Sequence, residues 1–221
     1  MPWRRARAFA VVSALAAGCL GAGAAPLWAQ TEPEPIGRFV FDIQGALGRY
    51  SQPNQVAAAL GVASTSLPSI GWGAQAAVHV YPFRWRAITF GVGASGMWTR
   101  GSRTPTDPDG VALGPTVQTR LAALAPQVSL NFGTRKGWSY ISVGMGPAIY
   151  TTKLAEAPDP TTVPRVTALN FGAGARWFAK AHLAFSFDLR WYSLGEQAET
   201  AETPFVPRTT RMVFSAGISV K

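Results

Sequence analysis

From residue 38 onward, side chains alternate between apolar and polar or small, in eight separate runs. Successive residues of a strand point to opposite faces, so a period of two builds sheet with one oily face and one wet face. The runs cover residues 38–50, 70–81, 87–98, 119–132, 138–150, 166–178, 183–192 and 211–220. In the first, Phe39, Phe41, Ile43 and Leu47 oppose Asp42 and Gln44. The seventh is the cleanest: Leu183, Phe185, Phe187, Leu189 and Trp191 alternate with Ala184, Ser186, Asp188, Arg190 and Tyr192. Most runs are close to the roughly 9–11 residues that a tilted strand needs to cross a bilayer. The fourth run is broken by Pro126, and the fifth holds a similar proline, Pro147. Proline removes a ladder donor and is normally confined to edges or bulges. A closed barrel has no edge, so the sequence predicts a bulge at Pro126.

The connections alternate in length. Residues 82–86, 133–137 and 179–182 are tight, whereas 51–68, 99–116, 151–165 and 193–208 are long and rich in Pro, Thr, Ser, Gly and acids. Short turns at one end and long loops at the other are the pattern of barrels that cross a bacterial outer membrane. The expected fold is all-β: an eight-stranded antiparallel up-and-down transmembrane β-barrel with short periplasmic turns and four long external loops. Charge follows the same division. Arg84, Arg86, Arg135, Lys136 and Lys180 fall in the tight turns, either because loops attract charge in general or because basic turns stay on the inner side against anionic lipid head groups. Asp107, Asp109, Glu156, Asp159, Glu196, Glu199 and Glu202 fall in the long loops.

Composition agrees with apolar surface spread over short segments. The chain is 48% hydrophobic but only 14% charged, against about 25% charged in soluble domains. No later stretch approaches the ~18 apolar residues of a helical span. Residues 1–29 read as a signal peptide for export: Arg4, Arg5 and Arg7 precede an Ala-rich apolar stretch over 8–17. Leu27-Trp28-Ala29 offers a cleavage point, with Ala22-Gly23-Ala24 as an alternative. Residues 30–37 form a short spacer and 38–221 the barrel domain. Leu15-Ala16-Ala17-Gly18-Cys19 loosely resembles a lipoprotein processing box. Ala16 stands where such boxes favour Leu, so Cys19, the one cysteine, is read as leaving with the signal. Loss of the signal's three arginines takes the formal charge from +9 to +6. The remaining bases are scattered, without a basic run or a nucleic-acid motif, which excludes a nucleic-acid partner.

A soluble sandwich or lipocalin-like barrel also alternates. Its polar set faces water and is rich in Lys, Glu and Asp. Here that set is mostly Gly, Ser, Ala, Asn and Gln, which suits a crowded interior. The inward set also holds Asp42, Asp188, Arg176, Arg190 and Arg211, which become neighbours on barrel closure and form a candidate lumen charge network. Gln44, Gln75, His79, Gln127, Asn131 and Asn170 join them. Buried charges are tolerated when paired, so a plug is expected, in an interior that eight strands leave just wide enough for side chains. Trp72, Trp98, Trp138, Trp177 and Trp191, with Tyr50, Tyr81, Tyr150 and Tyr192, lie near strand ends and are read as interfacial aromatics.

Residues 37–221 resemble the small outer-membrane β-barrel proteins of the OmpA/OmpX type in signal, strand number, loop asymmetry and last strand. The resemblance implies a cell-envelope protein of a Gram-negative bacterium, surrounded by outer-membrane lipid and lipopolysaccharide. It also implies that assembly machinery recognises the strand Met212–Lys221. Such chains commonly end in an aromatic residue; this one ends in Lys221, and Phe214 is the one aromatic on that strand's apolar face.

No catalytic, cofactor or metal site emerges from the sequence. Barrel lipases that deacylate lipopolysaccharide place His and Ser together on the lipid face. Here His182 is followed two residues on by Ala184, and His79 by Tyr81. Asp107-Pro108-Asp109-Gly110 lacks the rest of a calcium loop and reads as a turn. The sequence favours a structural or surface-interaction role for a monomer, with any binding in the long loops. A narrow channel for small or amphipathic solutes and a lipid-modifying enzyme are the alternatives.

Overall fold

A computed structural model describes residues 35–221; the signal peptide expected over 1–29 lies outside the described residues. Eight strands close into an antiparallel up-and-down barrel in chain order. They are β1 (Phe39–Arg49), β2 (Ile70–Trp85), β3 (Ile88–Arg103), β4 (Val117–Thr134), β5 (Gly137–Leu154), β6 (Arg165–Phe178), β7 (Leu183–Leu194) and β8 (Thr209–Val220). Closure is made by β1 and β8, from Phe41 opposite Val220 to Arg49 opposite Met212.

The apolar beat points outward. Phe39, Ile43, Trp72, Met145, Phe185 and Phe214 are all exposed, Trp72 to 69%, while Asp42, Gln44, Gln75, Asn131, Asn170 and Ser215 are buried inside. A soluble protein would carry these faces the other way round. An apolar belt outside and a polar lumen inside is the transmembrane arrangement.

The strands are longer than the sequence suggested. The runs expected at 87–98 and 138–150 continue to Arg103 and Leu154. Thr, Arg and Gly there keep pairing above the apolar belt, so hairpins β3–β4 and β4–β5 stand tall. The inner turns are correspondingly tighter. Trp85 pairs with Ile88, leaving Arg86-Ala87 as the turn, and Thr134 pairs with Gly137, leaving Arg135-Lys136. Arg84 therefore belongs to β2, not to a turn. Arg86 has φ 54, a left-handed conformation that costs a side-chain-bearing residue roughly 1–2 kcal/mol.

The bulge is not at Pro126. Strand β4 keeps one register with β5 on both sides of that residue, from Ala123 opposite Ala148 to Gln127 opposite Gly144. Pairing merely lapses between them, where Pro126 and Pro147 remove donors on facing strands. The register slips instead between the pairs Val80–Val92 and Phe83–Phe90, at Tyr81-Pro82. The extra residue reverses the alternation. Tyr81 still points inward, but Phe83 and Trp85 turn out to the apolar belt.

The lumen has three levels. At the turn end, Ile36, Val40, Tyr81, Trp138 and Tyr140 pack with Phe178. Polar and charged residues fill the middle. At the loop end an apolar cluster includes Tyr50, Met97, Leu121, Tyr150, Tyr192 and Val213. It is covered by the first long loop, whose short helix α1 (Asn54–Ala59) buries Val56 and Ala57 beside Leu67.

Candidate functional site in the barrel lumen

Two ion pairs dominate the middle level. Arg176 of β6 donates to both oxygens of Asp42 on β1, from Nε at 2.9 Å and from Nη2 at 2.6 Å. Ser219 of β8 donates to the same carboxylate. Arg190 meets Asp188, its neighbour two residues back on β7, in the same two-pronged way, at 3.0 and 2.9 Å. Such bidentate, charge-assisted contacts are the strong class of hydrogen bond.

Tyr140 joins the pairs. Its hydroxyl donates to Asp188 at 2.7 Å, and its ring lies 4.2 Å under the Arg176 guanidinium. Arg190 reaches further, donating to Gln127 at 2.7 Å, Asn170 at 2.8 Å and Ser142 at 3.1 Å. A second branch runs from Gln75 to Gln44 at 3.2 Å and from Gln44 to Ser186 at 2.9 Å. All four carboxylate oxygens are hydrogen-bonded, and both acids and both arginines are buried. His79 lies 3.8 Å from Asp42, beyond hydrogen-bonding distance. Neither of its ring nitrogens has a hydrogen-bond partner among the described residues.

Small residues make this crowding possible. Gly174 faces Asp188 across the β6–β7 ladder. A Cβ at Gly174 would stand 2.4 Å from the Tyr140 ring and 2.5 Å from the Phe187 carbonyl oxygen. At the loop end, a Cβ at Gly71 would stand 2.4 Å from the Tyr50 hydroxyl. Tyrosine rings lie over strand positions that only glycine leaves flat.

Arg211 stands apart from the other four charged residues. It is buried near the loop end and joins neither ion pair. Nη1 donates to the Ser51 carbonyl at 2.9 Å, and the guanidinium lies 4.7 Å from the Tyr150 ring and 5.7 Å from the Tyr50 ring. The cause is height. Ser215 faces Asp188, and Arg211 is four residues further along β8, roughly 13 Å at the usual rise per strand residue.

The aromatic residues divide by chemistry. Trp72, Trp98 and Trp177 are exposed on the apolar belt, and Trp191 stacks on Phe171 with ring centroids 5.7 Å apart. Trp138, grouped with them from the sequence, faces the lumen at 3% exposure and stacks on Phe178. Its place in β5 has the parity of the inward Ser142. Tyr50, Tyr81, Tyr150 and Tyr192 likewise face inward, not toward lipid; all five tyrosines of the chain are buried. A tyrosine's hydroxyl needs a polar partner when buried, and the lumen has them. Two residues escaped the sequence reading. Trp85, hidden in a supposed turn, is exposed beside Arg86 at the inner end. Tyr140, the link between the ion pairs, was legible from parity alone.

The loops carry their own polar ties. Lys153 and Arg120 hold Asp159 at 3.0 and 3.2 Å. The Lys153 hydrogen bond, with the Arg120 charge behind it, keeps this carboxyl below the usual range. Glu202 of the fourth loop receives the Thr161 hydroxyl at 2.8 Å and the Thr161 and Thr162 backbone N–H groups at 2.7 and 3.2 Å. The Thr161 hydroxyl first, then those amides, hold its carboxyl below the usual range too. Asp107 accepts the Val111 N–H at 2.7 Å and Gly110 takes φ 84, the geometry of a turn.

Solved structures carry the same architecture. Neisserial surface protein A superposes with a TM-score of 0.50 at 14% identity, over 83% of this chain and 96% of that one. The fold is that of a small outer-membrane barrel. Ail, the attachment invasion locus protein of Yersinia pestis, superposes at 0.48 with 12% identity, over 83% of this chain and 99% of its own. The outer membrane protein OprG of Pseudomonas aeruginosa gives 0.47 and 9%, over 85% and 97%. No family model matches the chain, and no curated protein matches it.

Proposed function

We propose that this protein is an integral outer-membrane barrel of Gram-negative type, with a structural or surface-interaction role and a lumen closed to solutes. The observation that carries the reading is the pair of bidentate ion pairs, Asp42–Arg176 and Asp188–Arg190, bridged by Tyr140. Opening a path through them would strand buried charges, which costs several kcal/mol per ion. The third and fourth loops, tied by Glu202, present the surface for any partner. Outer-membrane lipid and lipopolysaccharide surround the apolar belt, and β8 addresses the assembly machinery. The test is cell fractionation with gel migration before and after boiling. Recovery in the outer membrane, with migration that changes on heating, is expected. Recovery in the soluble periplasm overturns the reading.

A further inference from the structure

The geometry points to a binding site for one small monovalent anion, a halide or a small carboxylate, at Arg211 beneath the first external loop.

The first argument is charge. Among the described residues, the buried charged groups are three arginines, two aspartates and His79. Asp42 and Asp188 are each consumed by one arginine. Arg211 is the excess cation, and no ion pair among the described residues involves it. An isolated buried charge is far costlier than a paired one. Ring faces offset part of that cost through cation–π attraction, but they accept no N–H.

The second argument is unused donors. Of the guanidinium nitrogens, Nη1 is bonded to the Ser51 carbonyl, while Nε and Nη2 are buried without a hydrogen-bond partner among the described residues. Two guanidinium N–H donors are thus buried with no acceptor among the described residues. The group that satisfies both donors and cancels one positive charge is an acceptor carrying one negative charge.

The third argument is the other walls. The Tyr50 hydroxyl is spent on Thr99 at 2.8 Å, and Tyr150 receives Thr152 at 3.1 Å. Their polar ends are occupied and their rings flank the buried guanidinium, so the acceptor these donors take must be small. Entry is short: Ser51, which holds Nη1, is itself exposed at the loop end.

The test uses the full barrel in detergent micelles, unfolded with urea in sodium chloride, formate or gluconate at equal ionic strength. The Arg211 Nε–H signal in ¹⁵N NMR is followed in parallel, assigned by its loss in Arg211→Met. Chloride or formate should raise the unfolding midpoint saturably and move the Nε–H signal; gluconate, too large for the site, should do neither. Arg211→Met should abolish the response. Bromide in crystals should give an anomalous peak within hydrogen-bonding distance of Nε. Equal midpoints and an unmoved Nε–H signal in all three salts, water alone at that position, or a full chloride response in Arg211→Met overturns the site.

Discussion

Arg176 and Arg190 differ from Arg211 in what surrounds the same chemical group at two heights of one lumen. In the middle, each guanidinium grips both oxygens of an aspartate. Near the loop end, Arg211 has aromatic rings, one carbonyl and, among the described residues, no acid. The comparison teaches that closure of the barrel rests on paired charge at mid-height, and on apolar packing with a solitary cation under the outer cap. Substitutions at the two heights should therefore differ in size and even in sign.

The largest effect is expected from Asp188→Leu, which strips Arg190 of its counter-ion and Tyr140 of its acceptor. Breaking a buried pair in this way costs about 3–5 kcal/mol, read as a lower urea midpoint and earlier loss of the compact gel form on heating. Unchanged heat resistance would remove the ion pairs from the account. Gly174→Val should cost about 1–3 kcal/mol in the same assay, because the added carbons collide with the Tyr140 ring and the Phe187 carbonyl. Tyr140→Phe should cost about 1.5–3 kcal/mol, the worth of a hydrogen bond to a charged group. Adding Asp188→Leu should then cost less than it does alone, since the two share one contact.

Arg211→Met sharpens the comparison because its sign reverses. In gluconate, removing an unpaired buried charge should be neutral or stabilising. A loss as large as that of Asp188→Leu would show that Arg211 has a partner equivalent to an aspartate. The smallest effect is confined to the outer loops. Hydrogen bonding lowers the Glu202 carboxyl in the folded state, so the tie to Thr161 and Thr162 is complete above the ordinary glutamate value. It is lost as pH falls through the lowered one. The Thr161 and Thr162 amide signals should shift together in that window, below a normal glutamate titration, with the barrel signals unmoved; a normal midpoint would dissolve the tie.

Which face of each strand meets lipid was legible in the sequence, because a period of two leaves a side chain only two choices. Phe39, Phe41 and Ile43 went out and Asp42 and Gln44 went in for that reason alone. Strand ends were less legible: β5 continues to Leu154 on residues with no apolar signal, since pairing above the lipid needs none. Trp138 was misplaced by treating an aromatic near a strand end as interfacial, where its parity already put it inside. The bulge went to Pro126, yet a proline can leave a register intact where a facing strand also forgoes a bond, as Pro147 does. Height along the barrel axis was beyond the sequence, because it depends on the stagger fixed at closure. Arg211 could thus be placed in the lumen but not beside, or away from, Asp188.

Planar-bilayer recording of the purified wild-type barrel tests the central claim most directly, since a lumen closed by Asp42–Arg176 and Asp188–Arg190 cannot pass ions in steps. The account predicts a quiet trace for the wild type, with conductance arising only after Asp188→Leu loosens the network. Reproducible single-channel steps from the wild-type protein would contradict it.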